Sequence, residues 1–185
     1  DSQGDISVYT NTQYIKDFQS VIDFMLANNS YDEILVGGHS RGGAVSLFVA
    51  AQDTRVTKVI SIMGTPINRR CGESLAQWQS QGFHVISRDV PNSRERKEFR
   101  LPYSHIEDKA KYDNNFVELR KIKAPKLIVA GEADTVVPLE NMQKLYQELN
   151  EPKKFVLVPK VGQDYRHNEA EVAVVNKYIL DNLDF

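Results

Sequence analysis

The sequence predicts an α/β fold in which a mostly parallel sheet is flanked by helices. Short, nearly continuous apolar runs alternate with segments of helical periodicity, which is typical of strands that helices cover on both faces. One of these runs leads into a glycine-rich turn with a serine at its apex, and a helical segment follows. With 185 residues the chain is long enough for one domain with a sizeable core.

Composition excludes several classes of partner and site. The net charge of −2 gives no reason to expect nucleic acid or an anionic membrane as a partner, and no apolar run is long enough to cross a bilayer. The single cysteine, Cys71, cannot form an internal disulfide, which fits a reducing, cytoplasmic location. No histidine, cysteine and carboxylate grouping has metal-ligand spacing, and no glycine loop has phosphate-loop form. We therefore expect no metal and no cofactor.

The first elements follow from periodicity and end signals. Thr10 and Gln13 have capping-box spacing ahead of a helical pattern over about 12–28. An apolar strand is expected at 33–38, a helix at 41–53 and a second strand at 56–63. Regularity returns near the C-terminus with strands at 126–130 and 153–158. Helices are expected from Pro138 and from about Asn168, because proline suits a first helical turn and asparagine a cap.

Residues 67–122 interrupt this alternation with polar, charge-rich sequence. They predict a short helix at 73–81 that holds Trp78, a hairpin between 83 and 101, a helix to 112 opened by a Ser104–Glu107 capping box, and another helix near 114–120. Long connections are seldom structureless and are often lids. We therefore assign 1–66 and 123–185 to the core and 67–122 to a lid insertion; the alternative is a surface excursion without a function.

The turn Gly38-His39-Ser40-Arg41-Gly42 carries the chemistry. A serine on so tight a turn needs small neighbours, since the strand and helix backbones pass close to each other. Its hydroxyl is then directed above the sheet, and the start of the helix directs backbone N–H groups toward whatever the hydroxyl attacks.

A serine hydroxyl is a weak nucleophile at neutral pH, so it needs a base, and the base needs an orienting acid. Asp134 follows one predicted strand and His167 follows the next, so both are expected at the same sheet edge as Ser40. Glu132 is the rival acid. Asp134 as a helix cap and His167 as a surface loop residue are the structural alternatives.

These motifs together resemble the α/β-hydrolase family. Its nucleophile elbow is similar to 38–43, its acid-bearing segment to 124–138 and its histidine loop to 160–168. The resemblance covers almost the whole chain apart from the insertion. The insertion is itself similar to the lid of the cinnamoyl (feruloyl) esterase-like and serine-aminopeptidase-like branch.

The resemblance implies a serine hydrolase that takes a small-molecule ester. Ser40 would attack the carbonyl, His167 would take its proton, and Asp134 would hold the imidazole. The backbone N–H of Arg41 would be one oxyanion donor, and its side chain is expected to be structural or solvent-facing. Candidate substrate contacts are His39, Trp78 and Tyr103. An acyl- or amino-peptide hydrolase, a thioesterase and a non-catalytic scaffold remain alternatives.

The N-terminus departs from the family pattern. The family's second oxyanion donor follows an earlier strand, and 1–7 resembles, in degenerate form, a stretch that lies partway through the fold. We therefore expect the N-terminal strands of the fold to be absent, and residues 1–185 alone to be poorly active or unstable.

Overall fold

The computed structural model describes residue 5 and residues 8–67, 74–89 and 95–185. Cys71, most of the 1–7 stretch and the predicted hairpin turn at 91–93 lie outside these ranges. In chain order the elements are α1 (Asn11–Asn28), β1 (Leu35–His39), α2 (Arg41–Gln52), β2 (Lys58–Ile62), α3 (Ser74–Gln81), β3 (Phe83–Asp89), β4 (Arg96–Pro102), α4 (Ser104–Ala110), α5 (Phe116–Leu119), β5 (Lys126–Gly131), α6 (Leu139–Glu148), β6 (Lys153–Val158), a 3₁₀ turn (Tyr165–His167) and α7 (Glu169–Leu180).

Four strands form one parallel sheet in the order β1-β2-β5-β6. In register, Gly38 pairs with Ser61, Ser61 with Ile128, and Ile128 with Phe155. Every residue of β5 is buried. One face of the sheet packs against α1, α2, α5 and α6, and the other packs against α7. Because all four strands run the same way, the loops that follow them gather at one edge of the sheet.

The caps of two helices agree with the sequence, and that of a third does not. The Thr10 side chain accepts from the Gln13 N–H, and Asn168 accepts from the first N–H groups of α7. The predicted Ser104 cap was wrong, because Ser104 is the first residue of α4 and Tyr103 takes the cap position without a side-chain hydrogen bond.

The insertion has a sheet of its own. Strands β3 and β4 pair antiparallel from Phe83–Pro102 to Asp89–Arg96. The Asp108 carboxylate in α4 accepts from the backbone N–H of Thr12 at 3.1 Å and also from the Thr12 hydroxyl. Because Thr12 lies in the first turn of α1, this buried carboxylate joins the insertion to the N-terminus of a core helix, where a negative charge is favourable.

The turn between β1 and α2 is strained at Ser40, which has φ 57° and ψ −121°. Its N–H still donates to the Ile62 carbonyl at 2.9 Å, so the serine completes the β1–β2 ladder before the chain reverses. A Cβ on Gly38 would lie 2.5 Å from the Gly42 carbonyl carbon, and one on Gly64 would lie 2.4 Å from the Ser40 carbonyl oxygen. The close backbone approach therefore requires glycine at both positions.

The two glycines that flank the serine should respond differently to alanine. A Cβ on Gly38 collides with backbone that cannot move aside, so Gly38→Ala should lower the free energy of unfolding by about 2–3 kcal/mol. A Cβ on Gly42 meets nothing within 4 Å. Gly42→Ala should therefore raise stability by about 0.5–1 kcal/mol through helix propensity. Urea unfolding of both variants measures the difference, and equal effects would contradict the steric account.

Asp108 should contribute to stability in a pH-dependent way. Burial alone would raise the pKa of Asp108, but the hydrogen bonds from Thr12, together with the Lys111 charge and the Asn11 backbone, lower the pKa below its ordinary value. A lowered folded-state pKa means that this contribution is complete at neutral pH and is lost as pH falls below about 4.

Asp108→Ala should therefore cost about 2–3 kcal/mol at pH 7 and much less in acid. Thermal or urea unfolding at pH 7 and pH 3 measures both values. Glu107→Ala on the exposed side of the same helix is the control and should change little. A pH-independent loss at Asp108 would show that packing, rather than the charge, carries the effect.

Candidate active site

The Ser40 hydroxyl is not used for capping. Serine at a helix N-cap ordinarily accepts a hydrogen bond from the first turn, but Ser40 makes none although α2 begins immediately after it. The side chain instead lines a cavity of about 400 Å³. A strained serine that leaves its own helix uncapped and lies at a cavity wall is placed to react with a bound molecule.

The cavity beside Ser40 lies between the core and the insertion, and its wall is part apolar and part polar. Its other lining residues are Asn11, Arg41, Ala44, Val45, Phe48, Thr65, Pro66, Ile67, Lys109, Tyr112, Asp113, Val136, Val137 and Asn141. Its size and mixed lining suit a small organic molecule with a few polar groups.

The Arg41 side chain packs against the protein and also lines the Ser40 cavity, and a structural role for it stays a prediction. Its guanidinium carbon lies 4.2 Å from the Tyr9 ring centroid, and Nη2 lies 3.5 Å from Nε2 of His105. The backbone N–H of Arg41, by contrast, is the first of α2 and has no acceptor within the helix. It therefore stays our predicted oxyanion donor.

Asp134 is buried directly after β5, with 7% of its surface exposed. Oδ1 accepts from the backbone N–H groups of Val136 at 2.8 Å and Val137 at 2.7 Å, which fixes the loop ahead of α6. Oδ2 is buried without a hydrogen-bond partner among the described residues. One oxygen thus holds the loop and the other is available. Glu132, the rival acid, is exposed and accepts from the Lys160 N–H.

His167 is not joined to either proposed partner. It ends the 3₁₀ turn, is exposed, and its Nε2 accepts from Nε of Arg166 at 3.2 Å. Within the described ranges no hydrogen bond connects Ser40, Asp134 and His167. His167 lines a second cavity of about 310 Å³, and Val136 lines both this cavity and the one beside Ser40. The histidine therefore lies near the site but outside the contact that catalysis needs.

His39, next to the serine, packs edge-on against Tyr165 with 5.1 Å between ring centroids. Burial lowers the pKa of His39, and the Arg166 charge lowers it further. Its Nε2 is buried without a protein partner in the described part of the chain. A neutral imidazole beside the elbow follows from this environment.

Trp78 and Tyr103 do not line either of the two cavities. Trp78 stacks on His84 at 4.2 Å, and the His84 ring lies 6.1 Å from His105, which in turn stacks on Tyr9 at 5.8 Å. Burial lowers the pKa of both His84 and His105. This column of rings connects the insertion to the residues around Arg41. A direct substrate contact by Trp78 or Tyr103 stays a prediction.

Gln163 was missed by the sequence reasoning. It lines the same cavity as His167, only 8% of its surface is exposed, and neither amide atom has a hydrogen-bond partner among the described residues. A polar residue in a loop has no periodicity to mark it. The only sequence signal is the preceding Gly162, which permits a close approach to the Asp134 loop.

Among the described residues, no cluster of three or more histidine, cysteine or carboxylate side chains could hold a metal ion. Nor is any helix in that part of the chain both long and apolar enough to cross a membrane.

Solved structures share this fold. The esterase domain of a Rhodothermus marinus protein matches 87% of this chain and 65% of its own length, with 21% identity and a TM-score of 0.61. Est1E from Butyrivibrio proteoclasticus with ferulic acid bound matches 97% of this chain and 71% of its own, with 18% identity and a TM-score of 0.66. The α/β hydrolase GrgF from a Penicillium species matches 95% and 73%, with 15% identity and a TM-score of 0.72.

Two curated proteins of Mycobacterium tuberculosis, both described as uncharacterized, are 37% identical over 54 residues. That region is 29% of this chain and 18% of each relative. The chain thus spans less than a fifth of the curated relatives that it matches and about two thirds to three quarters of the solved structures.

The sequence model of the prolyl oligopeptidase family matches residues 5–184, almost the whole chain. Together with the parallel sheet, the serine turn and the structural neighbours, this match confirms the expected α/β-hydrolase fold, and the chain belongs to the prolyl oligopeptidase family.

Proposed function

We propose that this protein is a serine hydrolase that cleaves carboxylic esters of small molecules through an acyl-serine intermediate. The observation that carries the proposal is Ser40 itself, which is strained, free of capping and located at the wall of a 400 Å³ cavity. Strain of this kind persists only where the surrounding structure enforces it and is concentrated at functional sites.

The proposed reaction uses three side chains. Ser40 Oγ attacks the ester carbonyl while His167 takes its proton, the Arg41 N–H stabilises the oxyanion, and the alcohol leaves with the proton from His167. Water then attacks the acyl carbon while the same histidine takes its proton; the bond to Ser40 Oγ breaks, the carboxylic acid leaves, and the histidine returns the proton to Oγ. Asp134 orients the imidazole through Oδ2, the oxygen that the Val136 and Val137 amides leave available.

This scheme requires a movement of the loop 161–168. In the present arrangement His167 accepts from Arg166 at an exposed position, so the histidine must turn inward to reach Oδ2 of Asp134. An exposed hydrogen bond to Arg166 contributes little to stability, and the movement therefore costs little on that side.

The boundaries of the cavity beside Ser40 favour esters over peptides as substrates. It is bounded by the core and by the insertion, since Lys109, Tyr112 and Asp113 form part of its wall. A bounded cavity of this size suits a small ester better than an extended peptide. Among the structural neighbours, one is described as an esterase domain and another as binding ferulic acid. An acyl- or amino-peptide hydrolase and a thioesterase would use the same triad. Because the matched family is named for a peptidase, peptide hydrolysis remains the alternative to ester hydrolysis.

A fluorophosphonate probe tests the nucleophile. Wild-type chain should be labelled and Ser40→Ala should not, because the probe bonds to an activated serine Oγ. His167→Gln and Asp134→Asn should slow labelling by about 10²-fold or more, since each removes part of the base. Ser20→Ala, an exposed serine in α1, is the matched control and should be labelled like wild type.

A full-length wild-type protein that is folded but unlabelled would favour a non-catalytic scaffold instead. For a labelled chain, turnover of p-nitrophenyl esters, cinnamate esters and aminoacyl amides compares the three leaving groups. Preference for the amides would replace the esterase proposal with the peptidase alternative.

A further inference from the structure

His105 joins the insertion to the core through both nitrogens of its ring. It lies in α4, and only 5% of its surface is exposed. Nδ1 lies 2.7 Å from the backbone carbonyl oxygen of Tyr9, just before α1. Nε2 lies 3.5 Å from Nη2 of Arg41, the residue that follows Ser40. One side chain of the insertion therefore contacts two separate segments of the core.

The two partners fix the protonation state of this ring. A carbonyl oxygen can only accept, so Nδ1 carries the hydrogen and donates it to Tyr9. A guanidinium can only donate, so Nε2 is the bare nitrogen that accepts a long hydrogen bond from Arg41. Both contacts together require the neutral imidazole with its hydrogen on Nδ1.

A proton on Nε2 would break this arrangement. The new N–H would point at the N–H groups of Arg41, and two cations would lie within 3.5 Å of each other. Like charges at that distance repel each other, and more strongly where water is partly excluded. Both cations would also share one ring, since the guanidinium carbon lies 4.2 Å from the Tyr9 centroid and the His105 ring stacks on it at 5.8 Å.

The groups that face the ring favour its neutral form. Burial lowers the pKa of His105, and the charge of Arg41 in α2 lowers it further. The Tyr9 carbonyl acts in the opposite direction, while His84 of β3 and Lys109 of α4 add to the lowering. The ring is therefore neutral at neutral pH and gains its proton only in acid.

The described carboxylates on α1, β4 and α4 do not compensate a charge on this ring. The Asp108 carboxylate, in the same helix as His105, already accepts from the backbone and the hydroxyl of Thr12. Tyr14 of α1, near Arg41, stays protonated because burial raises its pKa to about 12. The other carboxylates described on these elements are exposed: Asp17 and Asp23 in α1, Glu98 in β4 and Glu107 in α4.

The helix that His105 attaches leads into the wall of the cavity beside Ser40. Lys109, one turn after His105, lines that cavity, and so do Tyr112 and Asp113 just beyond the helix. Ser40 itself is held separately, by the hydrogen bond from its N–H to the β2 carbonyl. Loss of the His105 contacts would therefore loosen the wall and leave the nucleophile in place.

We propose that His105 is a positioning residue for the substrate, whose neutral imidazole holds the insertion against Tyr9 and Arg41 and whose protonation loosens this wall of the cavity. Because the folded-state pKa is lowered, this stabilisation is complete above about pH 6.5, the pKa of an unfolded histidine, and is lost as the pH falls below it. The effect on substrate binding rests on the proposed function of Ser40, whereas the attachment of the insertion does not.

Hydrogen exchange of the backbone amides of residues 104–112 tests the attachment without a substrate. Protection in the full chain, corrected for intrinsic exchange rates, should fall about 10-fold from about pH 7.5 to about pH 5, because protonation favours the loosened state. The amides of β5 should keep their protection. His105→Gln retains a donor and an acceptor but cannot take up a proton, so its protection should not depend on pH.

The matched control is His84→Gln. His84 is also buried and also has a lowered pKa, but its Nε2 has no hydrogen-bond partner among the described residues. This variant should lose protection in acid as wild type does. Wild-type protection that does not change with pH, or an acid-dependent loss that persists in His105→Gln, would overturn the inference.

A titration of the wild-type ring by NMR decides the matter if His105→Gln does not fold. At neutral pH the His105 imidazole should be uncharged with its hydrogen on Nδ1, and it should gain a proton at lower pH than an unfolded histidine does. A hydrogen on Nε2 instead of Nδ1, or a ring that is charged at neutral pH, would contradict the proposed attachment.

Hydrolysis of p-nitrophenyl esters at about pH 7.5 tests the effect on substrate binding. His105→Phe fills the space of the ring without its hydrogen-bonding atoms, so KM should rise several-fold while kcat changes little. His105→Gln should keep KM near that of wild type. A fall in kcat with an unchanged KM in His105→Phe would overturn the positioning role. Absence of turnover in the wild type would overturn the proposed function, and the exchange experiment would still decide the attachment.

Discussion

The close approach of β1 and α2 at Ser40 is the constraint on which the rest of the site depends. Ser40 has to hold a left-handed φ of 57° while its N–H still bonds to the β2 carbonyl of Ile62. That is sterically possible because Gly38, Gly43 and Gly64 have no side chains where backbones nearly touch. The turn lies at the edge of a buried parallel sheet, in which β5 is covered throughout. A hydroxyl so fixed needs little reorganisation to attack.

The same turn anchors the insertion. Arg41, directly after the serine, lies over the Tyr9 ring and reaches His105 of α4, while Asp108 of the same helix bonds the start of α1. Two contacts from one short helix, each to a different core element, restrict its rotation. The insertion therefore forms part of the wall of the Ser40 cavity and is joined there to two elements of the core.

The sequence was sufficient for the parts of the fold that periodicity and end signals control. Apolar runs gave the four parallel strands, and Thr10 and Asn168 marked helix starts correctly, because those signals are local. Ser104 did not cap α4, since Tyr103 already has helical φ and ψ and the helix begins one residue earlier than the local pattern predicts. The buried Lys126, which donates to the carbonyls of Ile122 and Ala124, could not be foreseen from a charged residue at a strand start.

Sequence reasoning located some residues of the candidate site and missed the environment of others. Ser40 and Asp134 are located by the ends of strands, so the motif spacing was enough to bring both to one edge of the sheet. The orientation of a loop side chain depends on hydrogen bonds that spacing does not encode. His167 and Gln163 share one loop, and their environments are the reverse of what their chemistry suggests: the basic side chain is exposed and accepts from Arg166, and the neutral amide is buried.

The exposure of His167 and the burial of Gln163 are not explained by family membership alone. Membership in the prolyl oligopeptidase family fixes the sheet and the elbow, and the α/β-hydrolase neighbours differ from this chain at about four positions in five. Fold likeness at that distance does not transfer a substrate or a rate, since function resides in the site rather than in the fold. Within the described part of the chain, Oδ2 of Asp134 and the amide of Gln163 lack hydrogen-bond partners, and this is a property of these residues in this packing. The arrangement of the loop after β6, where His167 is exposed and Gln163 is buried, is therefore a feature of this chain that likeness of fold does not supply.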